Sequence, residues 1–83
     1  MKLLYFARFR QIIGRPGEDI DLPPDVTTIS ALIDFLSARD QGCAAAFSNR
    51  KTVKAAINQT HVEHDVSLVG AVEIALFPPV TGG

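Results

Sequence analysis

Ile29, Leu32, Ile33 and Leu36 recur at i, i+3, i+4 and i+7, which is the core stripe of an amphipathic helix. No other stretch of the 83 residues carries so long a helical pattern. The remainder reads as short apolar runs separated by Gly, Pro, Asn and charged residues. A chain of this kind folds as one sheet with one long helix on it, and one helix covers only one face. The opposite face must meet solvent or another molecule. Thr27 or Thr28 can cap the helix. Asp34, Ser37 and Arg39 fall off the stripe, Gln41-Gly42 ends it, and Cys43 to Phe47 reads as a further helical turn.

The short runs give the strands. Lys2 to Phe9 reads as the first, and Gly14, Pro16 and Gly17 mark a turn. Ile20 and Leu22 suggest a short second strand that Pro23-Pro24 closes. Thr52 to Ile57 alternates, Asn58-Gln59 turns into Thr60-His61-Val62, and Ala71 to Phe77 is the last strand. The expected order is β-β-α-β-β-β, an α+β domain. Side chains alternate across a strand. Lys2 and Arg8 therefore point outward with Leu4 and Phe6, while Leu3, Tyr5 and Ala7 face the helix. Glu73 takes Ala75 and Phe77 outward, and Val72, Ile74 and Leu76 point in. Leu4, Phe6 and Phe77 then form an apolar cluster on the uncovered face, the mark of a partner surface.

Composition excludes several classes of function. The hydrophobic fraction of 47% suits a globular domain. Net charge is −1, with no basic run longer than Arg50-Lys51, so no nucleic-acid footprint is present. No apolar stretch approaches the ~20 residues of a membrane span. The one cysteine excludes an internal disulfide and suggests a reducing, cytoplasmic setting. No P-loop, no G-x-G-x-x-G and no Ser-His-Asp order stands out. Cys43, between Gly42 and three alanines, reads as buried filler. His61 and His64 read as solvated loop residues without the further ligands a metal needs, so no metal site is expected. Asp19 and Asp21 beside Glu18 suggest a solvated acidic edge.

The end of the chain is different. After Glu73 no side chain is charged. Pro78-Pro79 stiffens the exit from the sheet, and Val80, Thr81, Gly82 and Gly83 follow. Residues 1–77 are thus read as the folded head and 78–83 as an extended arm reaching roughly 20 Å. The carboxylate of Gly83 is the candidate reactive group. Gly82, lacking a Cβ, lets the backbone enter a narrow slot. A carboxylate is a poor electrophile, but adenylation with ATP gives it a leaving group. A sulfur donor can then make a C-terminal thiocarboxylate. Leu4, Phe6, Phe77, Pro78, Pro79, Val80 and Thr81 are the candidate partner-binding residues.

Phe77-Pro78-Pro79-Val80-Thr81-Gly82-Gly83 resembles the closing signature of the molybdopterin synthase small subunits, the MoaD family. Ala56-Ile57-Asn58-Gln59 resembles the family's A-V-N-Q strand and turn. Leu3-Leu4-Tyr5-Phe6-Ala7-Arg8 resembles its opening strand. The resemblance implies a β-grasp, ubiquitin-like fold and a sulfur-carrying subunit with no catalytic pocket and no bound cofactor of its own. It implies three partners: a large, MoaE-like subunit, an E1-like (MoeB-like) adenylyltransferase that uses ATP, and a sulfur donor. Sulfur would pass to cyclic pyranopterin monophosphate inside a heterotetramer with two large subunits at its centre. Two departures fall near the expected docking face. Val69-Gly70-Ala71-Val72-Glu73 replaces an acidic D-G-D-E-V, and His61 stands where the family often has an aliphatic residue. Other Gly-Gly sulfur carriers, such as the thiamine-pathway protein, and a ubiquitin-like modifier activate the same terminus. A β-grasp interaction module with an inert tail is the remaining alternative.

Overall fold

The striped segment is the long helix of the fold, and Ile29, Leu32, Ile33 and Leu36 are all fully buried. The computed structural model describes residues 1–79. In chain order the elements are β1 (Lys2–Tyr5), α1 (Ala7–Ile13), β2 (Gly17–Asp19), α2 (Ile29–Arg39), α3 (Gln41–Ala46), β3 (Lys54–Ile57), β4 (Thr60–Val62) and β5 (Glu73–Phe77). A 3₁₀ turn, Arg50–Thr52, precedes β3. Thr28 caps α2 by accepting from the Ala31 N–H at 3.1 Å. Asp40 ends α2 and caps α3, accepting from Gly42 N–H at 2.7 Å. The further helical turn expected at Cys43 to Phe47 is this α3.

The strands form one mixed sheet in the order β2-β1-β5-β3-β4. β1 and β5 pair in parallel at the centre, and the other pairs are antiparallel. Leu3, Tyr5, Ile74 and Leu76 point from the central strands into the core with α2 and Phe47. This sheet, with its long helix on one face, is a β-grasp.

Four local expectations are corrected. The first strand stops at Tyr5, and residues 7–13 are helical instead of extended. Ala7 takes φ +53°, which breaks the alternation, so Ala7 is exposed and does not face the long helix. Phe9 and Ile13, four apart, bury one side of α1. Gly14 closes it in the left-handed conformation at φ +87°. The second strand lies at Gly17–Asp19, ahead of Ile20 and Leu22. Gly17 fits against β1 so closely that a Cβ there would sit 2.3 Å from the Leu3 carbonyl oxygen. Strands β3 and β5 each begin two residues later than the alternation suggests. Val72 therefore lies before β5 and is exposed, not inward.

The fourth correction concerns charge. Asp19 and Asp21 are exposed, but Glu18 is not part of a solvated edge. It accepts from the Tyr5 hydroxyl at 2.7 Å, from Arg15 at 2.6 Å and from Arg39 at 2.6 Å. Arg15 also reaches Asp40 at 2.5 Å. The network ties β1 and β2 to the ends of α2 and α3. Burial pushes the Glu18 carboxyl up, but the hydrogen bonds from Tyr5, Arg39 and Arg15 outweigh it and hold the group below the usual carboxylate range. Burial, with Glu18 as acceptor, raises the Tyr5 hydroxyl and keeps it a donor.

Asn58 explains the Ala56-Ile57-Asn58-Gln59 segment. Asn58 and Gln59 take φ +50° and +72°, the two left-handed positions of a type I′ hairpin turn, which Asn accepts readily. The Asn58 side-chain oxygen accepts from the N–H groups of Val72 at 2.9 Å and Glu73 at 3.0 Å. Its side-chain amide donates to the Gly70 carbonyl at 3.1 Å. One side chain thus shapes the β3–β4 turn and aligns the start of β5. Asn58→Ala should cost about 2 kcal/mol, from three partly solvated hydrogen bonds and a strained φ. Asn58→Asp, which keeps the acceptor, should cost less, and thermal melts of the two variants check the ranking.

Candidate docking face at the root of the arm

The face of the sheet opposite α2 is built from rows set by register. Leu4 lies opposite Ala75, Ala75 opposite Ala56, and Ala56 opposite His61. One row further on, Phe77 lies opposite Lys54. At the far end Lys2 and Glu73 form an ion pair at 3.9 Å. Among the described residues no helix covers this face. The two small alanines at its centre leave a shallow groove, walled by Phe6, Phe77, Pro78 and Pro79.

Phe6 and Phe77 line one groove. Phe77 turns away from the core, while its neighbour Leu76 is fully buried within it. Phe6 is 45% exposed and lines the same groove as Phe77. Its position has a different origin from the one read in the sequence. Phe6 is the N-cap of α1, with extended backbone at φ −121° and ψ 157°, and its N–H donates to the Leu76 carbonyl at 3.2 Å. That bond continues the β1–β5 pairing by one residue and holds Phe6 beside the end of β5. Leu4 is half-buried in the adjoining row, outside the groove. Pro78 and Pro79 line the groove directly after β5, so the arm begins at its edge. Val80, Thr81, Gly82 and Gly83 lie outside the described residues.

The sequence turns Ala75 and Arg8 outward and sets His61 near the docking face without counting them among the partner-binding residues, and it does not place Ala56 on this face. Paired small residues on an otherwise apolar strand face are a signal for a groove. The register that brings Ala56 and Ala75 together is visible only in three dimensions. His61 is exposed as expected, but it stands in β4, with its ring 5.1 Å from that of Phe77. His64 is not solvated. Its Nε2 lies 2.7 Å from the Val53 carbonyl oxygen, and the residue is half-buried. Among the described residues no three His, Cys, Asp or Glu side chains are placed to hold a metal ion, and no helix is long and apolar enough to cross a membrane.

Cys43 is fully buried, with its sulfur 3.9 Å from the Tyr5 hydroxyl. Burial pushes its thiol up, away from the reactive thiolate. Cys43→Ala should leave thiocarboxylation at the chain's end unchanged and cost ~1–2 kcal/mol through a small cavity. A persulfide found on Cys43 during turnover would overturn this.

The mixed sheet with its long helix on one face, and the groove beside Pro78 and Pro79 on the other, define a small β-grasp domain. The ThiS family pattern matches residues 3–83, and the chain belongs to that family. Across its whole length it is 37% identical to the molybdopterin synthase sulfur carrier subunit of Escherichia coli K12, covering 99% of that protein. It is 36% identical to the subunit of the same name from Haemophilus influenzae, again covering 99%. Among solved structures, it is similar to a putative molybdopterin converting factor subunit 1 from Pyrococcus furiosus. That match has a TM-score of 0.72 and 31% identity, over 95% of each chain. SAMP1 from Haloferax volcanii shares the fold at a TM-score of 0.71 and 24% identity, over 100% of this chain and 98% of that one.

Proposed function

We infer that this chain is the sulfur carrier subunit of a molybdopterin synthase. The observation that carries the reading is the end-to-end match at 37% identity to a curated subunit of that name. The groove walled by Phe6, Phe77, Pro78 and Pro79 supports it, because a partner seated there holds the head just where the arm departs. The carboxylate of Gly83 attacks the α-phosphorus of ATP in an E1-like adenylyltransferase and releases pyrophosphate. The terminal sulfur of a donor protein's persulfide then displaces AMP from the acyl carbon, and a thiol attacks the donor's inner sulfur, which releases the thiocarboxylate and leaves a disulfide on the donor. The large synthase subunit receives the arm, and the thiocarboxylate supplies sulfur to cyclic pyranopterin monophosphate. Gly82 gives the tip its clearance, and Val80 and Thr81 span the slot. The chain holds no cofactor in this scheme, and ATP belongs to the activating enzyme. A cytosolic site of action is supported by the lone buried thiol of Cys43.

Intact mass after incubation with ATP, an E1-like enzyme and a sulfur donor tests this reading. The expected gain is the difference between one sulfur and one oxygen atom. A stable adduct on lysines in place of that gain would identify a protein modifier. An unchanged mass would leave the head as an interaction module.

A further inference from the structure

The groove at the root of the arm is apolar on its floor but cationic at its rim. Arg8 lines it on the α1 side, and neither Asp nor Glu does. Through His61, Phe77 and Pro79 it continues into a second depression, lined by Lys51 and Lys54, where Glu63 is the lone acid. This placement is not a reflection of composition, because the chain has nine acidic residues and eight Lys and Arg. Apart from Glu63, five of the acids are paired or placed elsewhere. Glu18 and Asp40 pair with Arg15, Glu18 also with Arg39, Asp34 with Arg50, and Glu73 with Lys2. Asp19 leaves the sheet at the end away from the arm, opposite Lys2. Among the described residues, Arg8, Lys51 and Lys54 have no carboxylate within ion-pair distance.

We propose that the docking face is complementary to an acidic partner surface, one that sets an apolar side chain on the alanine floor between Phe6 and Phe77 and carboxylates against Arg8, Lys51 and Lys54. This rests on the reading of the chain as the small synthase subunit and adds the chemistry its large subunit must present. An apolar floor alone accepts partners of any charge. A rim with cations in excess, on a protein of opposite net sign, selects by charge and orients the approach so that the arm leads. Cations at the rim act mainly on the rate of encounter, and salt screens them beyond ~10 Å at 0.1 M.

The test measures association of the full chain with its cognate large subunit by stopped flow, from low to high sodium chloride. The expected result is an association rate that falls about tenfold or more across the range, with little change in dissociation. Arg8→Glu and Lys54→Glu should each slow association several-fold. Lys2→Glu makes the same change in net charge at the far end of the face and should barely alter it. A rate indifferent to salt, a rate that rises with salt, or an equal loss in Lys2→Glu overturns the proposal. So does a dimer of this chain that blocks the large subunit, or tight binding of inorganic phosphate that Lys54→Glu abolishes without slowing association. If the wild-type chain forms a thiocarboxylate and binds the large subunit without salt dependence, only this inference fails. If it does neither, the functional reading fails with it.

Discussion

Removing Gly82-Gly83 should abolish thiocarboxylation while the melting temperature stays where it is. The described core explains the second half of that result. Its buried side chains run from Leu3 to Leu76, and among the described residues none after Leu76 belongs to it. The first half follows from the chemistry, since the acyl carbon that receives sulfur is removed and Thr81 becomes the end of the chain. Changing Gly83 to a bulkier residue should lower sulfur transfer more than stability, because in the proposed scheme the added Cβ would obstruct the partner's slot. Mass spectrometry for the thiocarboxylate and a thermal melt on the same sample check both. Thiocarboxylate on the shortened chain, or its unfolding, would show that the arm is not the working part.

Phe77→Ala should cost ~2 kcal/mol or more in partner binding, roughly thirtyfold in affinity, and change the melting temperature little. Phe77 and Leu76 are neighbours with opposite roles. Leu76 is fully buried, whereas Phe77 lies on the open face against His61. Leu76→Ala should therefore destabilise the fold by ~2–5 kcal/mol. Binding of that variant should survive wherever it remains folded. In the proposed scheme the activating enzyme approaches the same arm as the large subunit, so calorimetric titration with each should show the Phe77→Ala loss. A melting point lowered by several degrees with binding preserved would mean that Phe77 belongs to the core.

The parts of the fold legible in the sequence are those where one period dominates. The stripe of α2 and the inward pair Ile74 and Leu76 follow directly from spacing. The hairpin turn at Asn58-Gln59 follows from residue type. What was hidden lay where two periods overlap. Tyr5, Phe6, Ala7 and Phe9 continue the aromatic and aliphatic run of the first strand, yet Phe9, Ile13 and Gly14 hold the spacing and the stop of a short helix. The positive φ of Ala7 decides between them, and no residue type announces it. The extent of β2 was hidden for another reason. Its register depends on the absence of a side chain at Gly17, while the apolar Ile20 and Leu22 drew attention further on. The docking face was half legible. Parity gave the outward turn of Phe77, but the groove depends on which alanines meet across β3 and β5. Glu18 could not be placed, because its partners Tyr5, Arg15 and Arg39 come together only through the tertiary fold.

The position of β5 between β1 and β3 has a mechanical consequence. An arm gripped in a partner's slot and then withdrawn transmits tension to the C-terminal end of β5. That strand is bonded on both sides, in parallel to β1 and antiparallel to β3. Pulling along the strand shears both ladders at once and shares the load among their hydrogen bonds. An edge strand peeled sideways would lose its bonds one at a time. The head should therefore withstand traction on its tail at forces that unzip a terminal hairpin. Single-molecule stretching from residue 83 should show one high rupture for the whole sheet, and a low-force release of β5 alone would contradict it.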